Sequence, residues 1–281
     1  MRTRARLLEE GADGSDEIQP LLTDLYEMTG YDFRDYSLLT VRRRLQRRLV
    51  LEQVSTVGEL RAGLHRSKAL ADTLIQDFSI NVTQMFRDPH FFRFFREAVI
   101  PELRQHPFIR IWVAGCSTGE EAYSIAILLH EEGLYPRCRI YATDMNEAIL
   151  KRAKIGYIPP FKLEDYAQNY RLSGGQGDFY QYLHFTDLST RIKEYWLQKI
   201  TFSHHNLSID RCFNEFHVIL CRNVLIYFNK RLQDRVHELL YGSLVNDGFL
   251  ALGDKETIRF TKCASKYRMT RPKQKIFRRI Y

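Results

Sequence analysis

The chain has 281 residues, of which 44% are apolar, so it can form one large domain, or a small domain joined to a medium one, with a packed core. Its net charge of +8 is modest at this length, and its five cysteines, without a C-x-x-C pair, argue against a disulfide framework or a zinc site. No stretch approaches the ~20 apolar residues of a membrane span, and the N-terminus turns acidic before any hydrophobic run, so we expect a soluble, cytoplasmic protein without a metal.

The chain is predicted to begin with a polar leader, residues 1–17, followed by a small helical domain over residues 18–80. Apolar residues recur at helical spacing in two stretches of this domain, and three glycines are predicted to break the pattern. They are Leu21, Leu22, Leu25 and Tyr26 in the first stretch, Leu38, Leu39, Val41, Leu45 and Leu49 in the second, and Gly30, Gly58 and Gly63 as the breaks.

A basic cluster lies in the second stretch, V-R-R-R-L-Q-R-R-L-V. Because Leu45 and Leu49 alternate with the arginines at helical spacing, the commonest interpretation is a helix with a buried stripe and a solvated basic face. The alternative is a module that binds nucleic acid or a membrane surface through this helix, without catalysis. The arginines are Arg42, Arg43, Arg44, Arg47 and Arg48.

The second predicted domain, residues 81–281, begins with the segment N-V-T-Q-M-F-R-D. Its last residue, Asp88, and the following Pro89 are the residue types of a helix N-cap and a first helical position. A helix is therefore predicted to start there. Composition alone favours a cap at Thr83 and an exposed side chain at Arg87 over a binding role for the polar residues Asn81, Thr83 and Arg87.

A buried strand that turns sharply into a helix is predicted at I-R-I-W-V-A-G-C-S-T-G-E-E-A-Y-S, residues 109–124. Such turns are where α/β sheets bind ligands. The same G-C-S-T-G pattern also fits the nucleophile elbow of an α/β-hydrolase, with Ser117 as the nucleophile. That enzyme would need an acid and a histidine after later strands, for which Asp210 and His237 are candidates.

Two acidic residues follow the glycine turn. Ser117 or Thr118 is expected to cap the new helix, with Glu120 or Glu121 as the partner in a capping box. A nucleotide pyrophosphate would be repelled by two carboxylates beside it. A cofactor without phosphate, such as S-adenosylmethionine, therefore suits this turn better.

Further strands alternate with helical stretches after the glycine turn, which predicts a mostly parallel, doubly wound sheet. The last residues form two strands around Pro272 with no room for a crossover helix, so they are predicted to be an antiparallel hairpin. A crossover of about forty residues, 157–198, is longer than the connection requires and is predicted to be an inserted subdomain. The strands are predicted at residues 139–144, 199–206, 215–223 and 248–253.

Polar residues follow the ends of these strands. Asp144 lies 25 positions past Gly119, close to the separation at which an acidic residue accepts hydrogen bonds from a ribose, although it could instead cap the following helix with Glu147. Asn206 and Asn223 follow the next two strands, and each alone is more typical of a turn. Their joint placement at one edge of the sheet favours a ligand site.

Five motifs together closely resemble the CheR family of chemotaxis receptor methyltransferases. They are N-V-T-Q-M-F-R-D-P-H-F-F, A-G-C-S-T-G-E-E-A-Y-S-I-A, Y-A-T-D-M, H-N-L and C-R-N-V-L-I-Y-F, and the basic helix is also similar. The resemblance implies an α/β fold. It comprises a Rossmann-like methyltransferase sheet with a C-terminal antiparallel hairpin, a small inserted β subdomain and an N-terminal all-α domain.

The resemblance also implies an activity, the S-adenosylmethionine-dependent methylation of receptor glutamates with release of S-adenosylhomocysteine. Tyr227 resembles the family's active-site tyrosine, and Arg87 is a candidate to hold the substrate carboxylate. Met85 stands where many members have a second phenylalanine, and a flexible apolar side chain should fill the same space. The implied cofactor contacts are Asn81, Thr83, Arg87, Glu121, Asp144, Asn206, Leu207, Arg222 and Asn223.

The partners that the resemblance implies are the cytoplasmic methylation regions of chemoreceptor-like proteins. These regions are acidic, so the basic helix around Arg42 to Arg48 could steer onto them. The inserted subdomain is a second candidate contact, since in some members it grips a receptor tether at a strand edge. A monomer is expected, with no nucleic acid and no membrane insertion.

Overall fold

The structure is a computed structural model that describes residues 15–79, 81–271 and 274–280. The first helix begins at Ser15, and the rest of the predicted leader before it lies outside the described residues. Pro272, around which the terminal hairpin is predicted, also lies outside them. In the described part of the chain, no helix is both long enough and apolar enough to cross a membrane.

The described residues form two compact units. The first takes the chain up to residue 79 together with Ile226–Arg235, and the second takes Asn81–Leu225 together with Val236–Tyr281. Ile226–Arg235 thus belongs with the helical part of the chain, although the sequence places it in the second domain.

The first unit is helical and builds its core from residues at helical spacing. Leu21, Leu25, Leu45 and Leu64 are fully buried, whereas Leu39, which the pattern also assigns to the buried face, is 77% exposed. Gly58 and Gly63 do not break the chain as predicted but lie within a helix. The helices are α1 (Ser15–Thr29), α2 (Leu38–Leu51), α3 (Val57–Leu64) and α4 (Lys68–Phe78).

Ion pairs join the helices of this unit. Arg48 on α2 donates two hydrogen bonds to Asp77 on α4, over 2.7 and 3.0 Å, and so serves a structural role within the basic cluster. Asp24 on α1 accepts from Arg61 on α3, which lowers the pKa of the Asp24 carboxyl. Hydrogen bonding to a charged partner favours the ionised acid.

Ile226–Arg235 contacts the connection between α1 and α2. The Ser37 N–H donates to the carbonyl of Tyr227 over 2.8 Å, and the Asn229 N–H donates to the carbonyl of Asp35 over 2.9 Å. The rings of Tyr36 and Phe228 pack edge to face. No local pattern in the sequence indicates these long-range contacts.

The second unit alternates strands and helices, as predicted. Its first helical stretch continues from α5 through a π turn at Phe95–Val99 into α6, and the first residues of α10 belong to the first unit. In chain order the elements are α5 (Pro89–Phe94), α6 (Ile100–Leu103), β1 (Ile109–Ala114), α7 (Glu120–Glu131), β2 (Cys138–Asp144), α8 (Glu147–Ile155), β3 (Tyr157–Ile158), α9 (Leu163–Leu172), β4 (Leu183–Phe185), β5 (Thr190–Ile192), β6 (Ile200–His204), β7 (Phe216–Cys221), α10 (Lys230–Gly242), β8 (Leu244–Leu252), β9 (Tyr267–Arg271) and β10 (Ile276–Arg279).

Seven of the described strands form one sheet in the order β6-β2-β1-β7-β8-β10-β9. The first five run parallel, and β10 pairs antiparallel with both β8 and β9. The Rossmann-like sheet and its C-terminal hairpin are therefore confirmed. Strand order reverses direction between β1 and β7, and ligands of open α/β sheets bind at such a point, beyond the carboxyl ends of the strands.

The inserted β subdomain is confirmed as well. Strands β3, β5 and β4 form a separate antiparallel sheet in that order. Helix α9 belongs to the same insertion and buries Tyr166 and Tyr170 completely. The chain between β2 and β6 thus forms a small folded layer of its own and not an extended crossover.

Candidate functional site

The loop between β1 and α7 has a left-handed backbone at three positions. Gly115, Ser117 and Gly119 have φ values of +73°, +51° and +97°. A Cβ at Gly119 would lie 2.5 Å from the ring of Tyr123, so this position needs glycine both for its φ and for its space.

The predicted capping box at this helix is wrong. The N-cap of α7 is Gly119, and no side chain caps the helix. Instead, the Thr118 hydroxyl donates to the Glu120 carboxylate over 2.6 Å, and burial raises the pKa of Glu120. The left-handed turn puts a glycine, with no side chain to contribute, at the position that a serine or threonine cap would need.

Asp144, at the end of β2, ties the two neighbouring loops together. Its Oδ2 accepts from the Ser117 N–H over 2.9 Å, and its Oδ1 accepts from the Asn146 N–H over 3.0 Å. Burial raises the pKa of the Asp144 carboxyl, and these N–H groups oppose that rise. The alternative of Asp144 as a helix cap is wrong, because Asn146 caps α8 through the N–H groups of Ala148 and Ile149.

The loop after β6 holds Asn206 and Leu207, both buried. Asn206 accepts from the Ser208 N–H over 2.9 Å through its side chain, and its own N–H donates to Asp210 over 2.7 Å. The N–H of His205 donates to the carbonyl of Asp144 over 3.2 Å. Asn206 therefore stabilises a turn, as its residue type indicates, and this turn lies beside the end of β2.

Arg222, which follows β7, has a side chain only 1% exposed. It forms ion pairs with Glu121 on α7 over 2.5 Å and with Asp88 over 2.7 Å, and it lies 4.0 Å from the centre of the Phe91 ring. Asp88 does occupy the N-cap of α5, but it makes no side-chain cap bond because its carboxylate faces Arg222. These ion pairs engage both terminal nitrogens of Arg222 and one oxygen, Oε1, of the Glu121 carboxylate.

The segment from Asn81 to Asp88 is held from several sides. The Phe86 N–H donates to Ser124 on α7 over 2.8 Å, and Arg222 donates to the carbonyl of Arg87 over 3.3 Å. The inserted helix α9 contributes Asn169, which donates to the carbonyl of Met85 over 3.2 Å. Just before α9, Lys162 donates to the carbonyl of Thr83 over 3.4 Å.

The guanidinium of Arg87 donates to the carbonyl of Val82 over 3.0 Å, within its own segment. Asn81, Thr83 and Arg87 are each partly exposed, and none of them is fully taken into the core. Met85 is completely buried, so it fills apolar space as expected. The segment therefore presents polar side chains from a backbone that the rest of the unit fixes.

Asn223 has a left-handed backbone with φ of +61°. Its N–H donates to the carboxylate of Glu256 over 2.9 Å, and so does the N–H of Val224 over 2.8 Å. Glu256 is not among the residues predicted from the sequence. The only indication was its position shortly after the glycine that ends the β8 strand pattern.

The structure brings most of the predicted residues to the carboxyl edge of four adjacent strands. Arg222 contacts both Glu121 and the Arg87 carbonyl, and Asp144 contacts the loop after β1. Tyr227 lies in the first unit, where its carbonyl accepts from Ser37.

The hydrolase alternative is not supported. The Ser117 hydroxyl is buried and has no hydrogen-bond partner among the described residues, so no histidine is placed to take its proton. Asp210 instead accepts from the backbone of Asn206, and His237 is buried in α10. Ser117 is a loop residue with spare hydrogen-bonding capacity.

The donors and acceptors at this edge fit S-adenosylmethionine. Asp144 and Glu121 supply carboxylate oxygens, which accept hydrogen bonds from ribose hydroxyls and from an ammonium group. The unpartnered Ser117 hydroxyl adds a further polar atom beside Asp144. Across residues 15–79, 81–271 and 274–280, no group of three or more potential ligands could hold a metal ion.

Gly115 keeps the loops after β1 and β7 in contact, and its replacement tests this edge. A Cβ there would lie 2.6 Å from Val224, whereas one at Gly133, which has a nearly equal φ, would meet nothing within 4 Å. Gly133→Ala should therefore cost only the left-handed strain, about 1–2 kcal/mol. Gly115→Ala should cost at least about 1 kcal/mol more and weaken cofactor binding. Urea unfolding and calorimetry of both variants measure this, and equal losses would contradict a tight contact.

Two family models match the chain. The model described as "CheR methyltransferase, SAM binding domain" matches residues 81–274. The model described as "CheR methyltransferase, all-alpha domain" matches residues 16–79. Together they extend over both units of the structure.

Similar proteins agree with these matches. The chain is 42% identical over 263 residues to a Pseudomonas putida methyltransferase named Cher3, covering 94% of this chain and 96% of that one. It is 34% identical to a chemotaxis protein methyltransferase of Listeria innocua, covering 82% and 85% of the two chains. It is 30% identical to the corresponding protein of Borreliella burgdorferi, covering 88% and 90%. The chain belongs to the CheR family of methyltransferases, and its cofactor is S-adenosylmethionine.

Proposed function

We propose that this protein methylates glutamate side chains on the cytoplasmic methylation region of chemoreceptor-like proteins, giving glutamyl methyl esters and S-adenosylhomocysteine. The observation that carries the proposal is the set of polar groups at four adjacent strand ends, held against the fixed segment from Asn81 to Asp88. Relatives named chemotaxis protein methyltransferases support a chemoreceptor substrate. The proposal includes a cytoplasmic, monomeric protein with domains at residues 18–80 and 81–281.

The methyl transfer does not require the protein to remove a proton from the substrate. A glutamate side chain has an ordinary pKa of about 4.3, so the attacking carboxylate is already ionised at neutral pH and needs no general base. When bound, S-adenosylmethionine supplies a methyl group on a positively charged sulfur. The residues of the site therefore have to bind, orient and keep water away from two oppositely charged groups.

We assign the substrate carboxylate to Arg87, whose guanidinium is partly exposed and makes one hydrogen bond within its own segment. A guanidinium binds a carboxylate through charge-assisted hydrogen bonds. Tyr227 is assigned a catalytic role by its resemblance to the family's active-site tyrosine. Both are the proposed catalytic residues.

The proposed cofactor contacts divide into two kinds. Asp144 is best placed to accept from the ribose, since a carboxylate has about four lone-pair sites and backbone N–H groups do not fill all of them. Arg222 supports the site by holding Glu121 and Asp88, because its own guanidinium is buried in those ion pairs. The remaining assigned contacts are Asn81, Thr83, Arg87, Glu121, Asn206, Leu207 and Asn223.

Two basic surfaces are candidates for the receptor contact. One is the exposed face of α2, which includes Arg43 and Arg47. The other is a groove of about 670 Å³ beside α8 and the inserted subdomain, whose apolar lining is Ile155, Ile192 and Leu197. Its polar lining includes the cations Lys154, Arg191 and Lys193, together with His184, Gln198 and the acid Glu194.

The role of α2 is tested by reversing its exposed charges. Arg43→Glu with Arg47→Glu should lower kcat/KM for the receptor roughly 10-fold at low salt, because the helix would no longer steer an acidic partner. The loss should shrink as salt is added, and the Kd for S-adenosylhomocysteine should stay unchanged. The control is Arg66→Glu with Lys68→Glu, which reverses two exposed charges elsewhere in the same unit. Equal losses in both double variants, or no loss in either, would remove α2 from recognition.

The proposed reaction is tested with radiolabelled S-adenosylmethionine and membranes that contain the receptor. The expected result is a labelled receptor band that releases labelled methanol in alkali, since a glutamyl methyl ester hydrolyses there and a methylated amine does not. Label that survives alkali, or label on another protein, would contradict the proposed substrate.

A further inference from the structure

We propose that Glu256 is a positioning residue for the cofactor site, acting through Asn223. It gathers backbone N–H groups from the loops after β7 and β8 onto one buried carboxylate. This inference rests on the proposed assignment of Asn223 as a cofactor contact, and Glu256 lies outside the five motifs quoted above.

Four backbone groups donate to this side chain. Oε2 accepts from the N–H groups of Gly253 over 2.6 Å and Asn223 over 2.9 Å. Oε1 accepts from Val224 over 2.8 Å and Leu225 over 2.7 Å. Because Glu256 is only 4% exposed, water cannot replace it as the acceptor for these groups.

The contact joins two strand ends that the sheet places side by side. Strands β7 and β8 are parallel neighbours, and Cys221 pairs in register with Leu252. The chain leaves β7 through Arg222 and leaves β8 through Gly253, so Glu256 reaches from one exit loop to the other. The position of Asn223 relative to the sheet is therefore fixed from outside its own loop.

The backbone around Asn223 needs such support. Three consecutive N–H groups, from Asn223 to Leu225, point toward one carboxylate while Asn223 itself has φ of +61°. A non-glycine residue in this region persists where the surroundings hold it. Successive N–H groups of this kind form a concave anion site, and here a side chain of the same unit fills it.

Gly253 shows how closely the two loops approach. A Cβ there would lie 2.8 Å from Nδ2 and 2.9 Å from N of Asn223, and 2.9 Å from Oε2 of Glu256. Gly253 is not among the glycines with positive φ, so the approach, and not the backbone conformation, requires glycine. Alanine at this position would push the two loops apart while leaving the Glu256 side chain itself unchanged.

The chemistry requires a carboxylate and not an amide. A glutamine keeps the shape of Glu256 but turns one oxygen into an NH₂ group, which would face two N–H donors. One pair of hydrogen bonds would be lost and two backbone groups left without an acceptor. We expect the loop to move and Asn223 with it, in a protein that still folds.

The test compares Glu256→Gln with a matched buried carboxylate, Glu131→Gln. Glu131 lies at the far end of α7, has a 6% exposed side chain and accepts from Tyr170, Tyr182 and Arg96. Both variants should lose thermal stability. Glu256→Gln should also raise the Kd for S-adenosylhomocysteine about 10- to 100-fold, by analogy with the loss of affinity when the hydrogen-bond partner of a metal ligand is removed.

Gly253→Ala provides an independent disturbance of the same contact and should raise the Kd as well, whereas Glu131→Gln should leave it unchanged. Wild-type affinity in Glu256→Gln would overturn the inference, as would an equal loss of affinity in Glu131→Gln at the same Tm. Calorimetry needs no receptor. A wild type that binds cofactor but methylates no receptor would therefore contradict only the proposed function.

Discussion

Replacing Arg222 by methionine is expected to lower the free energy of unfolding by about 3–5 kcal/mol, the cost of removing one member of a buried ion pair. Its side chain is 1% exposed, and Glu121, which it contacts, is 15% exposed. Methionine would leave that carboxylate without a charged partner in a place where water reaches it poorly. The N-terminal end of α5 would also lose two hydrogen bonds, since the same guanidinium donates to Asp88 and to the carbonyl of Arg87.

Urea denaturation measures this loss, and Arg104→Met is the matched control. Arg104 also forms an ion pair with a glutamate, Glu132, over 2.8 Å, but its side chain is 51% exposed. Exposed pairs contribute at most about 1 kcal/mol, because water screens them. A loss at Arg222 no greater than the loss at Arg104 would show that the buried ion pairs do not hold the segment from Asn81 to Asp88.

Replacing Arg87 by alanine is expected to lower kcat for receptor methylation roughly 10²- to 10³-fold, the usual cost of removing a group that stabilises charge at the reacting atoms. The fold should remain, because the guanidinium makes a single described hydrogen bond, to Val82. Arg93 on α5 is a matched control, since it is an exposed arginine a few residues away.

The measurement is single-turnover methyl transfer at saturating cofactor, together with Tm. Arg93→Ala should transfer the methyl group at the wild-type rate. Wild-type turnover in Arg87→Ala would remove this residue from the mechanism. Equal loss in both variants would indicate a general effect of basic charge and not a specific carboxylate contact.

The sheet could be predicted from the sequence because it depends on local features. Short apolar runs alternating with helical spacing, and glycines at residues 115 and 119, are sufficient to place strands and the switch point. The polar residues after the strands follow from the same alternation, since parallel strands end at one edge. Asp144 and Asn206 were found in this way.

Other parts of the site depend on contacts between distant residues and could not be predicted. Arg222 is a motif residue, but its ion pair with Asp88 joins positions 134 residues apart. Glu256 could not be predicted because it accepts four hydrogen bonds from backbone N–H groups. Every residue type except proline has such a group, so the sequence does not indicate which ones Glu256 contacts. Ile226–Arg235 joined the helical unit through similar distant contacts.

The helix N-caps were predicted wrongly where two neighbouring residues could each act as the cap. Asn146 and Asp144 are both residue types that cap helices. Asn146 caps α8, whereas Asp144 accepts a hydrogen bond from the loop after β1. At α7 the tight left-handed turn at Gly119 displaced the serine and threonine from the cap position. In each case the backbone path, set by the packing of the strands, decided which side chain could reach the N–H groups.

The central claim is that the carboxyl edge of β1, β2, β6 and β7 is a single S-adenosylmethionine site. A crystal structure of the wild-type protein with S-adenosylhomocysteine tests it most directly. The account predicts ribose hydroxyls within hydrogen-bond distance of the Asp144 carboxylate and the ligand in contact with Asn223. Ligand bound elsewhere, with Asp144 contacting only backbone groups of its own chain, would contradict it.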